Sequence, residues 1–374
     1  MNDYVIINGR KFRKGYTTGT CAAAASKASV TMLLSQKAVN SICVDTPAGI
    51  RLTLPVADAR VSDGFAVCSV VKDGGDDPDV TTGLKVFAKA RLTHGRGVRI
   101  KPGEGIGRVT LPGLKVKVGE PAINPVPVRM ILKEVNEVLP DNRGIEIVLS
   151  VPGGDEIAKK TYNPKLGIEG GISILGTTGV VHPMSEEAWK ESLALELSIM
   201  AARGIDAGVY TFGNYGEDFV SCRLGISGDY IVKISNFVGY MLEKGVENGL
   251  SSILLAGHPG KLVKVAGGIF HTHSKVADAR MEILSSYAAL EGASRDITER
   301  IYRCRTTEAA VEIIENEGLT GVYSRIVNNV SQKCGQYIYN KARVGTVLFN
   351  AANELLGMDK NAQKMIEELG GSYG

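Results

Sequence analysis

Apolar and polar positions change rhythm partway along this chain. In the first half, short β-like runs at residues 41–45, 50–56 and 66–72 are separated by Gly-, Pro- and Asp-containing turns. Residues 84–90 read as a helix or a strand, 127–139 as an amphipathic helix stopped before Pro140, and 144–154 as a strand. Many short strands with few helices predict an α+β domain over residues 1–163. One helix stands apart: in "GYTTGTCAAAASKA" the alanines are strong helix formers, and the hydroxyl residues before them predict a helix start at 18–20.

From about Gly167 the grammar becomes strand, loop, helix. "GISILG" reads as a short apolar strand, followed by a Gly/Thr loop and a helix opened by Ser185 with Glu186 and Glu187 in its first turn. "AGVYT" repeats the strand and its loop, 233–249 reads as a helix closed by glycine, and "SSILLAGHPGKLVKVAGG" as a further strand and glycine loop. Residues 277–318 read as wholly helical, 343–350 as a late strand and 361–371 as a final helix. This alternation predicts an α/β three-layer, mostly parallel-sheet, Rossmann-like domain over 164–374, with ligands beyond the carboxyl ends of its strands.

Composition narrows the picture. The 374 residues suit two domains, with room for a third, and 44% hydrophobic with 22% charged residues is a globular balance. A net charge of +3 without a basic tract interleaved with aromatics argues against nucleic acid. No leader-like segment opens the chain and no apolar stretch is long enough to cross a bilayer, so no membrane partner and a cytoplasmic location are expected. Six scattered cysteines without a C-x-x-C pair read as buried free thiols. The 45 glycines cluster in loops, which suggests backbone brought close to a ligand.

Several loops could carry chemistry. Thr17, Thr18 and Thr20 with Gly19 exceed what one N-cap needs, so they are candidates for holding a phosphate or carboxylate at the helix terminus. Lys101, Arg108, Lys115, Lys117 and Arg129, with Arg99, form a basic stretch suited to carboxylates, and Lys115 and Lys117 are expected on one strand face. Asp73, Asp76, Asp77 and Asp79 form an acidic loop that would favour a cation, sugar hydroxyls or a proton to be removed. "GEGIGRVTLPG" lacks the helix a dinucleotide fingerprint needs, and "GHPGKL" lacks the spacing and hydroxyl of a phosphate loop. On a strand, His271 and His273 would point to one side, as zinc ligands do, but no third ligand can be named. His258, on a loop after an apolar strand, is placed as a base near neutral pH.

The segments "GYTTGTCAAAASKA", "KDGGDDPDVTTG", "GRVTLPGLKVKVGEPAINPVPVRMI", "SVPGGDEIAKKTYNPKLGIEGGISILGTTGVVHPMS", "TFGNYGEDF" and "AGHPGKLVKVAGGIFHTHSKVADAR", in this order, resemble the cobalt-precorrin-5B C1-methyltransferase (CbiD-like) family of the oxygen-independent cobalamin pathway across nearly the entire chain. The resemblance implies methyl transfer from S-adenosylmethionine to ring carbon C1 of an anionic tetrapyrrole. Cobalt-precorrin-6A and S-adenosylhomocysteine are the implied products. Cobalt would be carried by the substrate, with no protein-bound metal expected. On this reading Gly176, Thr177, Thr178 and Gly179, with Asn214, Glu217 and Asp218, form a candidate donor pocket. The catalytic candidates are His258, His273, Asp278 and Asp76. A homo-oligomer is compatible with the reading. Two rivals remain open at this point: a non-catalytic tetrapyrrole carrier, and a phosphotransferase.

Overall fold

The computed structural model describes residues 4–7 and 9–373. It divides into two compact units, 1–186 and 187–374. The division does not fall at 163/164, because the segment from 164 to 186 bonds into the first unit. Its short strand at Ile168–Glu169 pairs with Arg108–Val109, and Val180–Val181 pairs with Gly15–Tyr16.

In the first unit, β1 (Tyr4–Ile7), β2 (Arg10–Arg13) and β3 (Gly15–Tyr16) lead into helix α1 (Thr18–Ser35). Strands β4 (Ser41–Asp45) and β5 (Arg51–Pro55) form a hairpin, and β6 (Ala57–Ser62), β7 (Phe65–Val71), β8 (Lys85–Thr93) and β9 (Gly97–Pro102) follow. After β10 (Arg108–Val109) come α2 (Pro125–Asn136), β11 (Gly144–Ser150), α3 (Gly154–Ala158), β12 (Ile168–Glu169) and β13 (Val180–Val181). The main sheet has the order β6-β7-β8-β11-β9, antiparallel except where β11 meets β9.

Helix α1 packs against this sheet and α2, and most of its side chains are buried. Alanines at 22–25 and 28 explain this, since small side chains let a helix approach its neighbours closely on several faces at once. The helix starts where the sequence predicts: Thr17 is the N-cap, its hydroxyl accepting from the Thr20 amide at 3.2 Å.

The second unit opens with α4 (Glu186–Ala202), β14 (Ala207–Thr211), α5 (Asn214–Asp218), β15 (Ile231–Lys233), α6 (Val238–Glu247), β16 (Ser252–Gly257) and α7 (Pro259–Ala266). Helices α8 (Arg280–Leu290), α9 (Arg295–Tyr302), α10 (Thr307–Asn316) and α11 (Gly321–Tyr337) precede β17 (Arg343–Phe349), β18 (Leu355–Met358) and α12 (Lys360–Glu368). The sheet order is β15-β14-β16-β17-β18, parallel except for β18. Alternation sends Val209, Leu254 and Val347 towards α12 and residues 219–226, while Tyr210 on the opposite face donates from its hydroxyl to Met241 O of α6 at 2.9 Å. Helices therefore cover both faces of this sheet.

Several sequence expectations change. "GISILG" is not a strand; Ile172 and Ile174 make only isolated bridges to Ile106 and Ile123. Residues 277–318, expected to be wholly helical, hold three helices interrupted at Gly292, which has φ +90°, and before Thr306, the N-cap of α10. The glycine loop expected after 257 is instead the start of α7, because Pro259 pre-sets the first helical φ. Cys43 and Cys222 are exposed, not buried.

Gly176 offers a direct stability test. Its φ is +130° and an added Cβ would collide with the Thr17 side chain, whereas Gly170 has φ +74° with nothing within 4 Å. Gly170→Ala is expected to cost about 1 kcal/mol through backbone strain alone, and Gly176→Ala at least about 2 kcal/mol more, compared by urea unfolding. Equal losses would mean that the 176 turn can move away from Thr17.

Candidate active site

The first unit spends its suspected anion-binding groups on its own packing. Thr20 Oγ1 donates to Gly179 O at 2.7 Å, and Thr18 Oγ1 accepts from Leu175 N at 2.9 Å. The Thr17 and Gly19 amides donate to Gly179 O and Leu175 O. With Thr17, Thr18 and Thr20 all buried, these groups dock residues 173–180 onto the start of α1 and do not form an open anion pocket. The expected role of these threonines in substrate binding is corrected accordingly.

The acidic loop is likewise internally paired. Asp73 takes a bidentate pair from Arg13 at 2.6 and 2.8 Å, Asp76 accepts the Arg13 amide, and Asp77 accepts the Met184 amide. Asp79 binds the buried Lys72 at 2.9 Å. Asp76 is thus a strut for the β2–β3 connection. Of the basic stretch, Lys101 pairs with Glu146 at 2.8 Å and Arg108 donates to Gly119 O. Lys115 and Lys117 are exposed in irregular chain, not on a strand, and Arg129 is exposed on α2. Asp45, Glu134 and Glu137 come within 4.8 Å of one another, but Lys27 closes on Glu134 at 2.7 Å and on Glu137 at 2.6 Å.

The expected donor pocket does not assemble within either unit. Gly176, Thr177, Thr178 and Gly179 belong to the first unit, and Asn214, Glu217 and Asp218 to the second. Thr178 Oγ1 donates to Val180 O, and Gly179 packs against Thr46 and Pro47. Lys233 bridges Asn214 Oδ1 at 2.8 Å and Glu217 at 2.6 Å, and Asp218 is exposed.

What the second unit does build is a cavity of about 700 Å³ beyond the carboxyl ends of its parallel strands. The chain leaves β14 towards β15 and leaves β16 towards β17, so the loops after β14 and β16 diverge and open a crevice between them. Phe212, Gly213, Tyr215 and Gly216 line it after β14, Asn236 after β15, His258, Gly260, Lys261 and Lys264 after β16, and Phe349 at the end of β17. Thr272, His273, Arg280, Thr307 and Glu308 complete the wall.

His258 and His273 both line this cavity, but the "HTH" stretch is not a strand; His271 makes an isolated bridge to Phe237. His258 is the N-cap of α7, and its ring lies 4.4 Å from that of Phe349 and 6.1 Å from that of Tyr215. Burial pushes its pKa below the ordinary 6.5, with Glu308 pulling partly the other way, so the imidazole is neutral at pH 7. His273 Nδ1 accepts the Lys275 amide at 3.2 Å. Asp278 is held bidentately by Arg280 at 2.7 and 2.8 Å, which holds its pKa below the usual carboxylate range. Of the four catalytic candidates, His258 and His273 line the cavity, and burial favours the neutral, proton-accepting form of His258.

Lys261, Lys264 and Arg280 escaped the sequence reading. Lys261 stands in the first turn of α7, at the positive end of the helix dipole, where a cation is locally unfavourable. That misplacement was the available signal.

A cavity at the strand ends of a parallel sheet is where open α/β folds hold their ligands. The CbiD family matches residues 6–183, and the CbiD C-terminal domain residues 271–360. A cobalt-precorrin-5B C(1)-methyltransferase of Alkaliphilus metalliredigens is 48% identical over 99% of this chain and 98% of its own length. One from a Thermoanaerobacter species is 51% identical over 92% of this chain and 94% of its own, and one from Photorhabdus laumondii 44% identical over 98% of each. The crystal structure of the cobalamin biosynthesis protein cbiD from Archaeoglobus fulgidus is 28% identical, covers 75% of this chain and 88% of its own, and superposes with a TM-score of 0.39. This chain belongs to the CbiD family.

A histidine whose pKa is lower folded than unfolded binds fewer protons in the folded state between the two values. His258 therefore contributes its full stability above about 6.5 and loses it as pH falls through that value towards the depressed one. An NMR titration of the imidazole is expected to give a midpoint below 6.5, and Glu308→Gln to lower it further. A midpoint at or above 6.5 would mean that the ring is solvated.

Proposed function

We propose that this chain methylates carbon C1 of cobalt-precorrin-5B, with S-adenosylmethionine as donor, in cobalamin biosynthesis. The observation that carries this is near-full-length identity of 48% across 99% of the chain with a relative bearing that activity as its name. No helix among the described residues is long and apolar enough to cross a membrane, which is in keeping with small-molecule chemistry away from a bilayer.

The second unit, read as Rossmann-like, is the candidate home of the reaction. Its cavity fits a flat, partly apolar ligand. Phe212, Tyr215 and Phe349 supply aromatic surface, and nothing lies within 4 Å of where a Cβ at Gly213 would stand. The donor, when bound, supplies an electrophilic methyl on a sulfonium. The ring carbon's electron pair forms the new C–C bond, the C–S pair stays on sulfur, and a proton leaves the macrocycle to restore neutrality. Neutral His258 is the group assigned to receive that proton, and packing on Phe349 holds its ring in place. The remaining demand is placement: reacting atoms held roughly 3–3.5 Å apart, in line, with water excluded by the aromatic wall. The expected macrocycle partner is an anionic tetrapyrrole.

The protein is incubated with cobalt-precorrin-5B and S-adenosylmethionine, and the products are weighed by mass spectrometry. One added methyl and one equivalent of S-adenosylhomocysteine are expected, with His258→Gln about 10²-fold slower in single turnover. An unmethylated macrocycle that stays bound would favour a carrier.

A further inference from the structure

Three cationic side chains converge on the cavity wall of the second unit, and the known chemistry assigns them nothing. Lys264 is 3% exposed, and its ammonium donates to Ala277 O at 2.8 Å and Thr272 O at 3.2 Å, with Asp278 at 3.9 Å. Asp278 is already closed by Arg280 at 2.7 and 2.8 Å. Lys261 donates to the amide oxygen of Asn236, and among the described residues no carboxylate lies within ion-pair distance of it. The corner is therefore under-compensated. Its acids are Asp278, shared between two cations, and exposed Glu308, whose Oε1 accepts from Thr307 Oγ1 at 3.2 Å.

The local cost of this arrangement points to a ligand. Burial pushes both lysines below their ordinary pKa; Lys264 and Arg280 add repulsion at Lys261, and at Lys264 Asp278 pulls the other way while Arg280 repels. Lys261 also sits at the positive end of α7. An anion would relieve all three strains at once. A carboxylate fits better than a phosphate, because a phosphate cradle needs several free backbone amides. Here Pro259 has none, and the amides of Lys261 and Leu262 both donate to His258 O at 3.1 Å.

We propose that Lys261, Lys264 and Arg280 form a receptor for one carboxylate of the reacting ligands, beside His258 at the end of β16. The inference rests on the methyltransferase reading only for which carboxylates are on offer: the amino-acid end of the donor, or an acid side chain of the macrocycle. The shared chemistry is the same, and one experiment separates the sources.

Full-length protein, Lys261→Gln and Lys261→Arg are titrated calorimetrically with four probes: S-adenosylhomocysteine, 5′-methylthioadenosine, which lacks the amino-acid tail, cobyrinic acid, and cobinamide, whose side chains are amidated. Lys261→Gln is expected to weaken the acid-bearing member of one pair roughly tenfold or more, with its uncharged partner changed less than about twofold. Lys261→Arg should restore most of that loss. A loss confined to S-adenosylhomocysteine assigns the corner to the donor, and one confined to cobyrinic acid assigns it to the ring. Equal weakening within both pairs, no change in any probe, or no binding of any by the unmodified protein would overturn the receptor. So would inorganic phosphate competing at lower concentration than acetate. Methyl transfer by the unmodified protein is measured separately, so failure of the receptor and failure of the methyltransferase reading are distinct results.

Discussion

Parallel pairing of β14, β15, β16 and β17 is the constraint from which the site follows. Parallel neighbours cannot be joined by tight turns, so each connection must run back over a face of the sheet, and every strand delivers its carboxyl end to the same edge. Three of those ends place a side chain of chemical use within a few residues: Tyr215 after β14, His258 directly after β16, and Phe349 at the end of β17. The strands themselves are almost entirely apolar and buried, which fixes their register and leaves the loop residues free to specialise.

The first unit solves a different problem with the same residue types. Threonine hydroxyls and glycines at 17–20 and 176–179 look like ligand-binding chemistry in sequence, yet they close the start of α1 against a neighbouring segment. Burial explains the choice. A helix end buried among apolar side chains must find partners for its first amides and for the carbonyls opposite, and hydroxyls are the smallest groups that serve both. Gly179 carries a double duty, its carbonyl accepting both the Thr17 amide and the Thr20 hydroxyl.

Much of the element order was legible, and the reasons are specific. The alanine run after Thr17 placed the start of α1 within 18–20, and the apolar runs at 207–211, 252–257 and 343–349 located three of the four parallel strands, although the glycine loop expected after 257 is the start of α7. What was not legible was partnership across long separations. Nothing local at 164–186 says that Val180 pairs with Tyr16 or that Leu175 meets Thr18, so the domain boundary came too early. Charge was misread for the same reason: Asp73 and Asp79 looked free until Arg13 and Lys72 were found beside them. Lys261 and Lys264 are three apart on one helix, but only the fold brings Arg280 and His258 to the same wall.

Hydrogen–deuterium exchange of the full-length protein, with and without S-adenosylhomocysteine, most directly tests whether chemistry belongs to the second unit's strand ends. Slowed exchange at 212–216 and 257–264, with 14–20 and 173–180 unchanged, is the expected result. Slowing confined to 14–20 and 173–180 would contradict it, returning the donor to the threonine and glycine turns of the first unit.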